Sequence, residues 1–243
     1  MNVFAISDRG KVRQQNEDAV FYRLDEENGV GLAVLCDGMG GEKAGEVASA
    51  TAGKAFLDYA EKTFLSSDVP IASDVAREAA AYANLQVYDR AMRDEACAGM
   101  GTTLVAVVIE PDDACVVNVG DSRCYWLAEG QLQQVTRDHS LVQDMVDHGQ
   151  LTPSEAGTHP RRNVITRAVG VQRRIVSDIF RLDLRPGDRL LLCSDGLSNQ
   201  VTRQEMEQIL LAEPALDIAA EKLLAMALDR GAPDNVSVLI LER

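Results

Sequence analysis

Leu32-Ala33-Val34-Leu35-Cys36-Asp37-Gly38 is an apolar run that ends on an acid beside a glycine. The same order returns in Val116-Val117-Asn118-Val119-Gly120-Asp121 and in Leu190-Leu191-Leu192-Cys193-Ser194-Asp195-Gly196. A continuous apolar stretch such as residues 31–36 fits a strand buried on both faces. Working outward, further strands are predicted over residues 3–6, 19–24, 103–109, 114–119, 123–127, 175–182, 189–193 and 236–241. Pro111-Asp112-Asp113, Glu129-Gly130 and Arg185-Pro186-Gly187-Asp188 read as the turns between several of them.

Helices separate these groups. Over residues 42–62, Ala44, Val47, Ala48, Thr51 and Ala55 fall on one helical face, and residues 73–95 form a second, Ala-rich helix. Small residues on both would allow close packing on a sheet. Thr152-Pro153-Ser154-Glu155 is a helix start, with Thr as cap, Pro at the first helical position and Glu three residues after the cap. Residues 203–211 and 215–228 form a last pair, the second striped by Leu216, Ala220, Leu223 and Ala227. Strands joined by short turns, with helices in consecutive pairs, predict an α+β fold with antiparallel sheet. No Pro/Gly/Ser-rich linker divides the chain, so residues 1–243 are expected to form one domain.

Composition narrows the function. The 24 Lys and Arg face 38 Asp and Glu, a formal charge of -14, which disfavours nucleic acid or anionic lipid as partners. An acidic chain that handles phosphate needs help from cations. No apolar stretch approaches membrane-span length, and no signal peptide is evident at the start. The five cysteines (Cys36, Cys97, Cys115, Cys124, Cys193) include no CxxC pair and read as buried, reduced thiols of a cytoplasmic protein.

A fourth acid, Asp234, precedes the final strand. In an antiparallel sheet the ends of some strands lie beside the starts of others, so Asp37, Asp121, Asp195 and Asp234 can share one rim. Four ionised carboxylates in one place repel, and a hard cation relieves them. A glycine next to the acid lets the backbone approach the ion and offer a carbonyl. No HExxH or His/Cys cluster is present, so zinc is disfavoured and Mg²⁺ or Mn²⁺ fits. In Arg13-Gln14-Gln15-Asn16-Glu17-Asp18, the guanidinium suits phosphate, and Glu17 and Asp18 can orient water at the ions.

Arg13-x-x-Asn16-Glu17-Asp18, Asp37-Gly38-Met39-Gly40-Gly41, Gly101-Thr102-Thr103, Gly120-Asp121-Ser122-Arg123, Ser194-Asp195-Gly196-Leu197 and Asp234-Asn235 follow one another along the chain. In this order they resemble the metal-dependent protein phosphatases of type 2C. Thr136-Arg137-Asp138-His139-Ser140 and the short length resemble the bacterial branch. The resemblance implies a central β-sandwich flanked by helix pairs, in four α-β-β-α layers, with two Mn²⁺ or Mg²⁺ ions at one end. It makes Asp37 a bridge between both ions and a catalytic residue, with Asp195 and Asp234 completing the first ion's protein ligands. The carbonyl of Gly38 would serve the second ion, and Asp121 with Asp195 a third. Arg13 would bind the substrate phosphate, and Glu17 and Asp18 would support the bound water. Residues 137–165 would form a flap beside the cleft; on their own chemistry, Arg161 and Arg162 either meet acidic or phosphorylated peptide or are a solvated basic pair.

The implied reaction is hydrolysis of phosphoserine and phosphothreonine on proteins by direct attack of a hydroxide held between two cations. The implied partners are phosphoproteins and an opposing Ser/Thr kinase. Met39 departs from the His that many eukaryotic members carry in the same motif, so metal-bound water would protonate the leaving group; His139 or His159 could contribute, but both are read as surface or structural histidines and not as catalytic.

Gly38-Met39-Gly40-Gly41-Glu42-Lys43 fails both the dinucleotide fingerprint and the P-loop, because Lys43 and Glu42 stand where glycines are needed. No cysteine has Arg six residues later, which removes a cysteine-dependent phosphatase. The remaining alternative is a catalytically silent phosphoprotein-binding module of the same fold. Its expected signature is loss of a metal aspartate, and none is missing.

Overall fold

The computed structural model describes residues 1–40, 44–66, 71–111 and 113–243. Along the chain run β1 (Asn2–Asp8), β2 (Asp18–Asp25), β3 (Val30–Met39), α1 (Ala44–Ser66), α2 (Ala72–Arg93), β4 (Gly101–Thr102), β5 (Leu104–Glu110) and β6 (Asp113–Val119). They are followed by β7 (Arg123–Ala128), β8 (Gln131–Gln134), α3 (Leu141–Asp147), α4 (Pro153–Thr158), β9 (Asp178–Leu182), β10 (Arg189–Cys193), α5 (Asp195–Ser198), α6 (Arg203–Ala212), α7 (Leu216–Asp229) and β11 (Val236–Glu242). One antiparallel sheet has the order β1-β11-β10-β7-β8, and the other β2-β3-β5-β6-β9 with β4 paired to β3.

The continuous apolar runs follow from burial on both sides of each strand. In β3, Ala33 and Leu35 point into the layer between the sheets, while Leu32, Val34 and Cys36 face α1 and α2. In β10, Leu190 and Leu192 join the central layer, and Leu191 and Cys193 face α6 and α7. Period-two alternation is present but invisible in the sequence, because both faces are dry. The helices close this way because their inner faces are small: Ala48, Ala52, Ala76, Ala80 and Ala83 on one side, Ala219, Ala220 and Ala227 on the other. The layers are α-β-β-α, as the resemblance implied. The stripe Leu216, Ala220, Leu223 and Ala227 lies entirely in the core. All five cysteines are buried and free.

Several boundaries differ from expectation. β3 does not stop at Cys36 but runs through Asp37 and Gly38 to Met39, so Asp37 is held by strand pairing. The strand predicted over residues 175–182 starts only at Asp178. Upstream, the buried Asn84 of α2 captures the carbonyls of Gln172 and Arg173 (3.0 and 3.1 Å), which bends the chain away from the sheet. α3 was not foreseen in a polar stretch. Ser140 nucleates it by accepting from the Gln143 N–H. β8 was also missed, since only Leu132 of its four residues is buried. It pairs with β7 across Glu129-Gly130, both at positive φ (52° and 78°), a two-residue turn that suits the sheet twist. Thr152 and Glu155 form the expected capping box. Gly41, Glu42, Lys43 and Asp112, part of the predicted motif, helix start and turn, lie outside the described residues. No helix among the described residues is long and apolar enough to cross a membrane.

Candidate active site

β2 and β3 pair in a register that sets Asp18 opposite Asp37. The backbone of Asp37 is fixed from three directions. Its N–H donates to Thr103 Oγ1 (2.9 Å), and its carbonyl accepts from Thr102 Oγ1 (2.8 Å) and the Thr103 N–H (2.8 Å). Thr103 Oγ1 lies 2.8 Å from Ser122 Oγ, beside Asp121. Gly38 permits a close crossing: a Cβ there would sit 2.1 Å from the Gly45 carbonyl oxygen and 2.6 Å from that of Glu17. Glu17 in turn accepts the Gly38 N–H on its backbone (3.1 Å), and its carboxylate lies against Gly45 near the start of α1.

The second sheet supplies the other half. Ser194 Oγ and Ser237 Oγ both donate to Asp18 Oδ2 (2.8 and 2.6 Å), tying β2 to the end of β10 and to β11. Asn235 brackets the loop after β1. Its Oδ1 accepts the Glu17 N–H (2.9 Å) and its Nδ2 donates to the carbonyls of Arg9 and Gln15 (2.9 Å each). The loop presents Arg13, whose Nη2 donates to Asp234 Oδ2 at 2.8 Å. Asp195 opens α5 directly after Ser194, with Gly196 pressed against the Asn235 carbonyl.

The carboxylates feel one another. Burial, then Asp18, Asp195, Asp121 and Asp234, push Asp37 well above the usual carboxylate range. Burial raises Asp18 to about 7, although two hydroxyls favour its ionised form. Burial and then Asp195 raise Asp121 to about 7, and burial and then Asp234 raise Asp195 to about 6. Burial also lifts Glu17, against the pull of Arg13. Such a cluster is stabilised by positive charge.

The motifs around Asp121 and His139 interlock. Arg123 forks onto Asp138 through Nε to Oδ1 (2.9 Å) and Nη2 to Oδ2 (2.7 Å). His139 is buried and faces Gly120 and Asp178, away from the role of leaving-group acid. His159 is half-buried, and its Nδ1 accepts from the Arg161 N–H (3.1 Å). A cleft of about 260 Å³ runs beside the acids, with Asp121, Asp195 and Asn199 on one wall and Val142, Pro153 and Arg162 on the other. Residues 137–165, which include α3 and α4, supply that second wall.

Arg13, Glu17, Asp18, Asp37, Gly38, Asp121, Asp195 and Asp234 thus share one end of the sandwich. Among the described residues, no three His, Cys, Asp or Glu side chains are drawn into a finished cage. Hard cations such as Mg²⁺ keep several waters and need few carboxylates each. Two observations fit such ions. Asp18 Oδ1 and Asp195 Oδ1 are buried with no hydrogen-bond partner, and every donor atom in the cluster is oxygen. Sequence reading gave no role to Thr103, Ser122, Ser194, Asn235 or Ser237. Thr103, Ser122, Ser194 and Asn235 stand inside the quoted motifs, and Ser237 is marked only as a polar residue inside the apolar run of β11.

The model of the family "Protein phosphatase 2C" matches residues 9–229. A serine/threonine phosphatase stp from Listeria welshimeri is 38% identical over 240 residues, covering 98% of this chain and 94% of the relative. The crystal structure of the Mycobacterium tuberculosis serine/threonine phosphatase PstP/Ppp is similar with a TM-score of 0.89 at 37% identity, covering 100% of this chain and 99% of that one. A PstP catalytic domain in complex with two manganese ions is similar with a TM-score of 0.86 at 35% identity, covering 99% and 97%. With the acid rim, the arginine and the four layers in place, the chain belongs to the protein phosphatase 2C family.

Proposed function

We propose that the acid rim and Arg13 are the working parts of a metal-dependent serine/threonine protein phosphatase. The observation that carries this reading is the convergence of Asp18, Asp37, Asp121, Asp195 and Asp234, each raising a neighbour's affinity for protons, with Arg13 hydrogen-bonded to Asp234 at 2.8 Å. Asp37, Asp195 and Asp234, with the Gly38 carbonyl, would hold two Mn²⁺ or Mg²⁺ ions, and Asp121 with Asp195 a third. Bound divalent cations supply an acidified water and neutralise phosphate charge.

The chain's own residues do the rest. Arg13 spends one N–H on Asp234 and remains half-exposed, so the rest of its fork is free for phosphate oxygens. Asn235 fixes the loop that aims it. Asp18 keeps one oxygen on two serines and leaves the other buried without a partner, and Glu17 offers a further acceptor for water. Met39 cannot give up a proton, so water at the rim protonates the leaving alkoxide.

Residues 1–243 act as one catalytic domain, with residues 137–165 as the flap. In this reading the protein works in the cytoplasm, in signal transduction, and reverses the action of a Ser/Thr protein kinase. Mn²⁺-dependent release of phosphate from phosphoseryl and phosphothreonyl peptides, lost with chelator, is the expected result. A protein that binds Mn²⁺ and phosphopeptide without turnover would establish the silent binding module instead. For the kinase link, phosphoproteomes with and without the protein should differ at Ser and Thr sites.

A further inference from the structure

Residues 160–177 hold Arg161, Arg162, Arg167, Arg173 and Arg174 and no acid, in a chain of charge -14. The later part of this segment lines a groove of about 400 Å³ together with Met39, two residues beyond Asp37 on the same strand. Its walls are apolar with a basic margin: Met39, Ile165, Val171 and Val176 beside Arg167 and Arg174. Val171 and Val176 are 53% and 71% exposed, so branched apolar surface faces solvent next to the acid rim.

The groove is rigidly built. Thr102 and Val169 exchange backbone hydrogen bonds (3.0 and 2.8 Å), pinning the segment to β4. Asn84, 1% exposed, donates to the carbonyls of Gln172 and Arg173 and accepts from the Gly170 N–H (2.8 Å). At the floor, a Cβ on Gly101 would lie 2.6 Å from Met39 Cε and 2.9 Å from Val171 Cγ2, so glycine makes room for both. Arg167 is committed to Asp178 (2.8 Å). Arg173 and Arg174 are exposed and make no ion pair or side-chain hydrogen bond among the described residues.

We infer that this groove docks the stretch of the phosphoprotein substrate next to the phosphorylated residue, and that it selects acidic side chains adjoining branched apolar ones. The inference rests on the phosphatase reading and adds a substrate class to it. A chain this acidic repels acidic segments over most of its surface, and this fixed basic strip is where complementarity is available. The valines give the apolar residues of such a segment a dry contact.

The test compares two phosphothreonyl peptides, one flanked by Asp/Glu and Val, the other by Lys and Ser, with p-nitrophenyl phosphate as a substrate that has no flank. The wild type should prefer the acidic peptide. Arg173→Glu with Arg174→Glu should lower its kcat/KM about tenfold, mainly through KM, and flatten its salt dependence. Val176→Ser should reduce the same quantity two- to threefold. Hydrolysis of p-nitrophenyl phosphate should not change in either variant. Equal loss on the peptide and on p-nitrophenyl phosphate would overturn the inference, as would unchanged peptide selectivity. Altered self-association in sedimentation with unchanged peptide selectivity would assign the groove to a second copy of the chain. Failure of the phosphatase reading looks different: the wild type would hydrolyse none of the three substrates with Mn²⁺.

Discussion

His139 grips Gly120 twice: its backbone N–H donates to the Gly120 carbonyl at 2.9 Å, and its Nδ1 accepts from the Gly120 N–H at 3.1 Å. With Nδ1 accepting, the ring proton sits on Nε2 and points at Asp178 Oδ2, 3.1 Å away. Arg167 Nη1 is equally close to that nitrogen, but two donors do not bond, and its hydrogen bond goes to Asp178. The ring therefore sets the turn that carries Asp121, whose Gly120 sits at φ 115°. Asn places an acceptor where Nδ1 lies, and Gln does not. His139→Asn should keep Mn²⁺ affinity within about threefold, whereas His139→Gln and His139→Ala should weaken it about tenfold. Titration calorimetry on the folded variants reads this directly, and an identical response of Asn and Gln would refute the role.

Asp37 is pressed by its neighbours, so removing its charge should separate catalysis from stability. Asp37→Asn should abolish turnover, a fall of more than about 10³-fold. In chelator, the same variant should melt higher than the wild type by roughly 2–4 °C, because about 1 kcal/mol of repulsion is gone. Scanning fluorimetry with and without Mn²⁺ checks both halves. A lower melting point in chelator would contradict the picture of a self-repelling rim.

The raised carboxylates also fix a pH dependence. A group whose affinity for protons is higher folded than unfolded loses its stabilising contribution as pH climbs through its folded value. Asp18 and Asp121 at about 7 and Asp195 at about 6 therefore make the metal-free protein less stable from about pH 4 to about pH 7. Divalent cations bind the ionised forms, so the gap between cation-loaded and cation-free melting temperatures should widen from about pH 5 to about pH 7.5. A constant gap would mean that the acids do not meet the ions.

Ser194 and Ser237 share one oxygen of Asp18 and join the two sheets at the rim. Ser194→Ala or Ser237→Ala should each cost about 1–3 kcal/mol in urea unfolding, as charge-assisted bonds to a desolvated carboxylate do. The double variant should cost less than the sum in an Asp18→Asn background. Full additivity there would show that the serines act independently of Asp18.

Much of this architecture was legible in the chain. Residues 31–36 read as a doubly buried strand because the run is continuously apolar, residues 189–193 read as a strand, and the helix start at Thr152 followed from its cap. The four rim aspartates were legible because each closes an apolar run or opens one. Asn84 and His139 were not, because each is defined by a backbone partner that only the tertiary fold brings near, as Gly170 lies 86 residues from Asn84. The start of β9 was misplaced for the same reason: the residues of 175–177 favour a strand, but Asn84 holds the chain just before them. α3 and β8 carry too little apolar pattern to be seen without their neighbours.

β11 lies between β1 and β10, in the interior of its sheet, and Asn235 at its threshold binds the Arg13 loop through bonds that span 218 to 226 residues. A nascent chain emerging from the ribosome holds Arg13 early but lacks the bracket that aims it until residues 234–242 have been made and have slotted between two waiting strands. The loop that aims the guanidinium therefore takes its final shape only with the last strand of the chain in place.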